Sequence, residues 1–293
     1  MPHYLDPKND LTFKRVFGEH KHLCMSLINS MLPLPSPVVD IEYQSNELIP
    51  ELADVLRHTI VDVSCVDSNG RQFIVEMQMY WSKSFKNRVL LNASKAYVKQ
   101  LDKTKEFTLL KPVYALSFVN DTFENSEEYY HYYKIVNIND TEKQIEGLEF
   151  LFVELPKFKP QNRAEKKLRD LWLRFLTEIN ENTTEIPQEL QDNKFVSEAV
   201  EYMNRGAYTK AQLNTYDKWK IDAMTEYSMI NDALRKGEAM GMAEGLEKGI
   251  AEGLEKGKIQ EKLEIAKNAK ALGLSKEQIQ QLTNLSIEEI ENI

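Results

Sequence analysis

The stretch from Val61 to Gln78 can pair with itself in one favourable way, and that pairing constrains the rest of the chain. It reads Val-Asp-Val-Ser-Cys-Val, the turn Asp67-Ser68-Asn69-Gly70, then Arg-Gln-Phe-Ile-Val-Glu-Met-Gln. A three-residue loop, Ser68 to Gly70, puts Gly70 at the left-handed position of a G1 bulge. Asp67 then faces Arg71, and Asp62 falls opposite Glu76. One face of the ribbon becomes wholly apolar, with Val61, Val63, Cys65, Phe73, Val75 and Met77. The other carries Asp62, Ser64, Gln72, Glu76 and Gln78. A two-residue loop slips the pairing by one and mixes the faces. The favoured register sets two carboxylates side by side, which destabilises a sheet unless something offsets the repulsion. A divalent cation is the simplest candidate.

The 293 residues suffice for a sizeable core and two folded regions. A hydrophobic content of 42% with 28% charged residues describes a soluble globular chain. No run approaches the ~20 apolar residues that span a bilayer. The opening Met-Pro-His-Tyr-Leu-Asp-Pro-Lys lacks the apolar run of a signal peptide. Cys24 and Cys65, the two cysteines, cannot build a disulfide framework. The expectation is a cytoplasmic protein. Net charge is 37 − 46 = −9, which excludes a chain basic throughout. Its distribution matters more. Residues 81–111 hold eight basic groups (Lys83, Lys86, Arg88, Lys95, Lys99, Lys103, Lys105, Lys111) against Asp102 and Glu106, a local +6. This segment directly follows the hairpin, and the phosphates of a polyanion would sit here.

Residues 10–31 predict a helix, capped by Asn9 or Asp10, with an apolar stripe of Phe13, Phe17, Leu23, Leu27 and Ile28. The run Leu32-Pro-Leu-Pro-Ser-Pro37 ends it. Strands are expected at 38–43, 59–66 and 71–79. A helix follows from Ser84 to about Lys103. Its buried side is Phe85, Val89, Ala93, Ala96, Tyr97 and Leu101, and Arg88, Asn92, Lys95 and Lys99 form a polar stripe. Further strands are expected at 113–119, 129–137 and 148–155. This order gives an α/β core. Residues 163–236 read as helical around a loop at Glu181–Pro187. Their core candidates are Trp172, Leu173, Phe175, Leu176, Ile179, Phe195, Val196, Val200 and Met203.

The composition then changes. Gly237, Gly241, Gly245, Gly249, Gly253 and Gly257 recur every four residues, within the octad Gly-x-Ala-Glu-Gly-Leu-Glu-Lys. Each glycine costs a helix about 1 kcal/mol relative to alanine, so the six cost ~6 kcal/mol together. The glycine line also drifts by about 40° per step around a helix of 3.6 residues per turn. Two uses fit it, close helix–helix packing through small residues or a solvated linker helix. The tail 262–293 reads as three short helical pieces. Gly273-Leu274-Ser275 and Asn284-Leu285-Ser286 are the breaks, with Ser275 and Ser286 as caps. Its rhythm is that of a helix-turn-helix, but the last helix is acidic and unsuited to a major groove. A small packing module is the better reading.

Asp62 and Glu76 suit a hard cation, since Mg²⁺ keeps several waters and takes one or two protein carboxylates. Mn²⁺ is an alternative. Gln78, on the same face, can orient a water or a phosphate without adding charge. The basic stripe of the next helix could clamp a nucleic-acid backbone.

Asp, then Glu-x-Lys on the next strand, then a helix, is the pattern of the PD-(D/E)XK nuclease superfamily. Glu76-Met77-Gln78 resembles the variant found in its Rpn group of recombination-promoting nucleases and transposases. Asn9-Asp10-Leu11-Thr12-Phe13-Lys14-Arg15-Val16-Phe17 is similar to that group's opening D-x-x-F-K-x-x-F segment. Val61-Asp62-Val63 and Ile74-Val75-Glu76-Met77-Gln78 resemble its central motifs. Arg88 with Tyr97 and Gln100-Leu101 resembles its following helix, and the glycine repeat its tail. The resemblance implies a restriction-endonuclease-like core, a mixed central sheet flanked by helices, followed by a helical C-terminal region. With the patterns above, the chain divides into a core (1–160) that the resemblance makes nuclease-like, a helical extension (161–236), the glycine helix (237–260) and a tail module (261–293). The resemblance further implies a Mg²⁺-dependent DNA endonuclease of bacterial mobile elements and recombination. Asp62 and Glu76 would hold the metal, Gln78 would stand in the lysine's position, and Asp10 would add a further acid. Arg88, Lys95, Lys99 and Lys14 would contact DNA. Two departures stand out. Gln78 cannot supply the lysine's charge, so Lys95, Lys99, Arg88 or Lys14 must substitute or activity is weak. Val61 stands where the superfamily has proline.

Plainer readings stand beside these. Asp10 is also a helix cap, Lys14 an i,i+4 partner of Asp10, and Arg88, Lys95 and Lys99 a solvated face. The run Tyr129-Tyr130-His131-Tyr132-Tyr133 suits strand packing better than base stacking. His20-Lys21-His22 reads as a helix-end surface. There is no P-loop, Gly-x-Ser-x-Gly or dinucleotide fingerprint. The alternative to a working nuclease is a catalytically weak nuclease-fold protein, an oligomeric DNA-binding or regulatory module assembled through 237–293.

Overall fold

A computed structural model describes residues 3–46, 61–102, 106–160 and 168–293. They fall into two compact units, Met1–Met224 and Thr225–Ile293.

The first unit is built on one sheet. Its strands are β1 (Ile41–Tyr43), β2 (Val63–Asp67), β3 (Gln72–Gln78), β4 (Val113–Val119), β5 (Tyr130–Asn137) and β6 (Asp140–Glu154), in the order β1-β2-β3-β4-β6-β5. The centre is parallel, β3 with β4 and β4 with β6, while β1, β2 and β5 join antiparallel. Between β3 and β4 the chain crosses through α3 (Phe85–Lys99), as parallel neighbours require.

The hairpin adopts the expected register: Val63 pairs with Val75 and Cys65 with Phe73. Gly70 has φ 81°, a conformation glycine adopts without steric cost. Asp67 secures the turn by accepting from the backbone N–H groups of Asn69 and Arg71 and from Arg71 Nε at 2.7 Å.

Both faces of the sheet are covered. Val63, Cys65, Phe73, Val75, Tyr114, Leu116, Phe118, Leu151 and Val153 belong to the larger core. It is completed by the N-terminal helices and by α4 (Leu168–Glu178) and α6 (Lys194–Tyr202), with the short α5 (Gln188–Gln191) between them. On the other face α3 buries Phe85, Val89, Ala93 and Ala96 against Ile74, Val113, Ala115, Val119 and Phe152.

Several expectations need correction. Residues 10–31 do not form one helix. Asn9 caps α1 (Asp10–Phe13), a π-helical turn follows at Lys14–Gly18, and α2 (Lys21–Met31) restarts after an extended His20. The apolar stripe is buried as expected, because a π turn shifts phase without turning the stripe to water. Val61 does not share a face with Val63. It packs with Ile74 and Phe85 in the smaller core, because the chain bends at Asp62 and alternation ends there. β6 begins at Asp140, earlier than expected, because its first half pairs with β5 in a largely exposed hairpin that hydrophobic patterning cannot mark. Expected elements at 59–60, at 163–167 and near Lys103 lie outside the described residues. Tyr130 and Tyr132 pack against the larger core, and His20 Nδ1 donates to Arg15 O at 2.7 Å while His22 pairs with Glu198.

A single helix, α7 (Lys210–Ala271), crosses the division between the units. In the second unit its glycines are bare: a Cβ added at any of the six would meet nothing within 4 Å. After Gly273 (φ 81°) come α8 (Lys276–Thr283) and α9 (Ile287–Glu291), each opened by a capping box, Ser275 with Gln278 and Ser286 with Glu289. Ala266, Ala269, Ile279, Leu285 and Ile290 form this unit's small core.

Candidate active site

Asp62 and Glu76 meet where the hairpin opens. Asp62 lies one residue before β2, in a bend held by Asn46, which donates from Nδ2 to the Asp62 carbonyl at 3.0 Å and accepts from Val61 N–H at 3.1 Å. There the Asp62 side chain turns toward β3, and Oδ2 accepts the Met77 N–H at 2.7 Å. Asp62 therefore takes a ladder position with its carboxylate instead of its backbone. Glu76 projects from β3 onto the α3 face and is 6% exposed. Its Oε1 accepts from Asn92 Nδ2 of α3 at 3.0 Å.

Both carboxylates are harder to ionise than usual. Burial pushes Asp62 up to about 7, reinforced by the charges of Asp10 and Glu76 and opposed by the Met77 N–H and Lys14. Burial also raises Glu76, against the Asn92 hydrogen bond and the nearby charge of Arg88. Two acids that disfavour each other's charge at one place form a set that a cation would relieve. Among the described residues there is no cluster of three or more acidic, histidine or cysteine groups spaced to hold a metal. The donor set is the carboxylate pair, which fits an ion that retains most of its waters, as Mg²⁺ does.

The remaining expected residues divide into two groups. Asp10, Lys14, Gln78 and Arg88 gather at the acids. Lys14 Nζ lies 2.6 Å from Asp10 and 3.9 Å from Asp62. The Gln78 amide donates to Tyr80 O at 2.9 Å and accepts from Arg88 at 2.5 Å. The Arg88 guanidinium lies 4.9 Å from the Phe85 ring centre. Lys95 and Lys99 lie further along α3. Lys99, with Lys111, Gln72 and Ser64, lines a cavity of about 370 Å³ at the opposite end of β3. Asn92, expected on a polar surface stripe, is instead 1% exposed and bonded to Glu76. Helical spacing alone put it four residues after Arg88, and nothing in the sequence showed that this one position of the stripe faces the sheet.

A mixed sheet between helical layers, with an acid pair at the open end of its hairpin and a helix returning over it, defines a nuclease-type α/β core. The model of the PD-(D/E)XK nuclease family transposases matches residues 7–233, and the chain belongs to that family, whose fold is restriction-endonuclease-like. No curated protein and no solved structure matches the chain.

Proposed function

We propose that the protein is a Mg²⁺-dependent DNA endonuclease that hydrolyses phosphodiester bonds during transposition or recombination of a mobile element. The observation that carries this reading is the Asp62–Glu76 pair, two partly or fully buried carboxylates whose charge the protein answers incompletely. Asp62 and Glu76 would hold Mg²⁺ or Mn²⁺, which supplies an activated water and neutralises charge on a phosphoryl oxygen. Gln78 orients the substrate through its amide. Arg88, bonded to Gln78, brings the positive charge that the superfamily's lysine carries. Lys14 bridges Asp10 and Asp62 beside the cut site, and Lys95 and Lys99, further along α3, would meet the DNA backbone away from it. Asp10 acts as the further acid. The two free thiols, Cys24 and Cys65, suit a reducing cytoplasm. No helix among the described residues is long and apolar enough to cross a membrane. Plasmid nicking with Mg²⁺ tests the proposal: Asp62→Ala should lose activity, and equal cleavage by both proteins would sink it.

A second reading has its own support. Met242, Leu246, Ile250 and Leu254 are 55–80% exposed along the glycine helix, which suits assembly with a second copy and a regulatory or DNA-binding role without efficient cleavage. Sedimentation of the full chain tests the assembly, and a monomer at micromolar concentration removes it.

A further inference from the structure

Asn92 lies in an otherwise apolar layer. Phe85, Val89, Ala93 and Ala96 surround it on α3 and are buried against the sheet. Its Nδ2 donates to Glu76, but its Oδ1 is buried with no partner among the described residues. A second buried atom without a partner among the described residues is Ser117 Oγ. Ser117 is 1% exposed and is the residue of β4 that pairs with Glu76. Paired residues on neighbouring strands leave the same face about 4.8 Å apart. Glu76 thus stands between α3 and β4 with a polar side chain on each. A buried polar atom without a partner costs about 1–3 kcal/mol, and alanine or leucine would fill either position at less cost. Stability of the folded chain does not explain these two residues.

We propose that Asn92, supported by Ser117, is a positioning residue that holds the Glu76 carboxylate for a divalent cation. The inference rests on the metal-dependent reading above. Charge explains the choice of residue types. A lysine or arginine at 92 would compete with the cation, and an aspartate would add a third repelling carboxylate. An amide fixes one oxygen by a hydrogen bond and leaves the full charge of Glu76 to the metal. Groups behind a metal ligand typically alter metal affinity by about 10–100-fold when removed.

The test is calorimetric titration of the full-length chain with Mn²⁺, with thermal melting in EDTA as the control for folding. Wild type should bind. Asn92→Leu, which keeps the branched shape without the polar atoms and does not lower helix propensity, should bind about 10–100-fold more weakly while still melting cooperatively. Ser117→Ala should weaken binding less, and Asn92→Gln, which keeps the donor, should recover part of the loss. If Asn92→Leu does not fold, Asn92→Ala takes its place. Wild-type affinity in the folded Asn92 variants overturns the inference and leaves the metal reading intact. No Mn²⁺ binding by wild type, with or without DNA, overturns the metal reading and this inference with it.

Discussion

Glu76 and Glu154 stand at the same end of one sheet, both buried, at 6% and 0% exposure. Their surroundings are opposite. Glu154 accepts from Phe123 N–H at 2.5 Å, Glu124 N–H at 3.2 Å, His131 Nε2 at 2.7 Å and Lys157 Nζ at 2.7 Å. Burial alone would raise its pKa, but Lys157, the Phe123 N–H, His131 and the Glu124 N–H together hold it below the usual carboxylate range. Glu76 accepts from one neutral amide, and there burial prevails. The protein answers the charge of Glu154 in full and uses it to tie residues 123–124, β5 and the end of β6 together. The charge of Glu76 is left open. A carboxylate kept in the interior with only Arg88 nearby to oppose its burial is what the proposed metal site would require.

The sharpest way to break that contrast is to neutralise each in turn. Glu154→Gln leaves Lys157 and His131 facing an amide, and removing one partner of a buried ion pair costs about 3–5 kcal/mol. Glu76→Gln removes a charge the fold does not compensate. It should therefore unfold in urea within about 1 kcal/mol of wild type while losing Mn²⁺ binding. Equal losses of stability would erase the distinction between the two acids.

Arg88 sharpens the comparison on the side of the site, since its charge acts on Glu76 and opposes the effect of burial there. Arg88→Gln should reduce plasmid nicking by about 10–100-fold, with the melting temperature little changed because the side chain is exposed. Adding Gln78→Lys to that variant should restore part of the rate by returning the charge to β3. Unchanged nicking in Arg88→Gln would remove Arg88 from the chemistry.

The hairpin was legible in the sequence because both signals for it are local. Gly70 fixes the turn and alternation fixes the faces, so the strand register followed without any knowledge of what lies above. What lies above was not legible. Asn92 and Arg88 belong to one stripe by spacing, yet one is buried and the other exposed, and this depends on how closely α3 approaches β3 and β4. Val61 fails for a similar reason, because the bend at Asp62 is made by Asn46, fifteen residues earlier in the chain than Val61. The acids were identifiable as a pair. The donor counts that separate Glu76 from Glu154 were not, because His131, Lys157 and the backbone of Phe123 meet Glu154 only in three dimensions.

Asp62 gives the comparison a pH dependence. Its folded pKa of about 7 lies above the ordinary 3.8. Between those values the folded chain holds more protons than the unfolded one, so stability falls as pH rises through this window, by at most about 1.4 kcal/mol per unit. Glu154 has the opposite sign: its contribution is present above 4.5 and is lost as pH falls through its lower folded value. Urea unfolding in EDTA at pH 5 and pH 7.5 checks this. Wild type should weaken relative to Asp62→Asn at the higher pH, and saturating Mg²⁺ should recover the loss in wild type alone. Parallel behaviour of the two proteins would show that Asp62 ionises normally.

The smallest effect separates the two units. Gly70 needs its positive φ, and a Cβ there would meet Lys111 at 3.1 Å. Gly241, Gly245 and Gly249 have no such requirement and no neighbour within 4 Å. Alanine at each should stabilise the helix by about 1 kcal/mol, read as a higher melting temperature of the helical circular dichroism signal, whereas Gly70→Ala should destabilise the first unit. Sedimentation then distinguishes the two uses of the repeat. If the glycines are there for close approach to a second helix, the triple alanine variant gains helix stability and loses association together, because the added methyl groups hold the backbones apart. If the repeat is only a linker, stability rises and the sedimentation coefficient is unchanged.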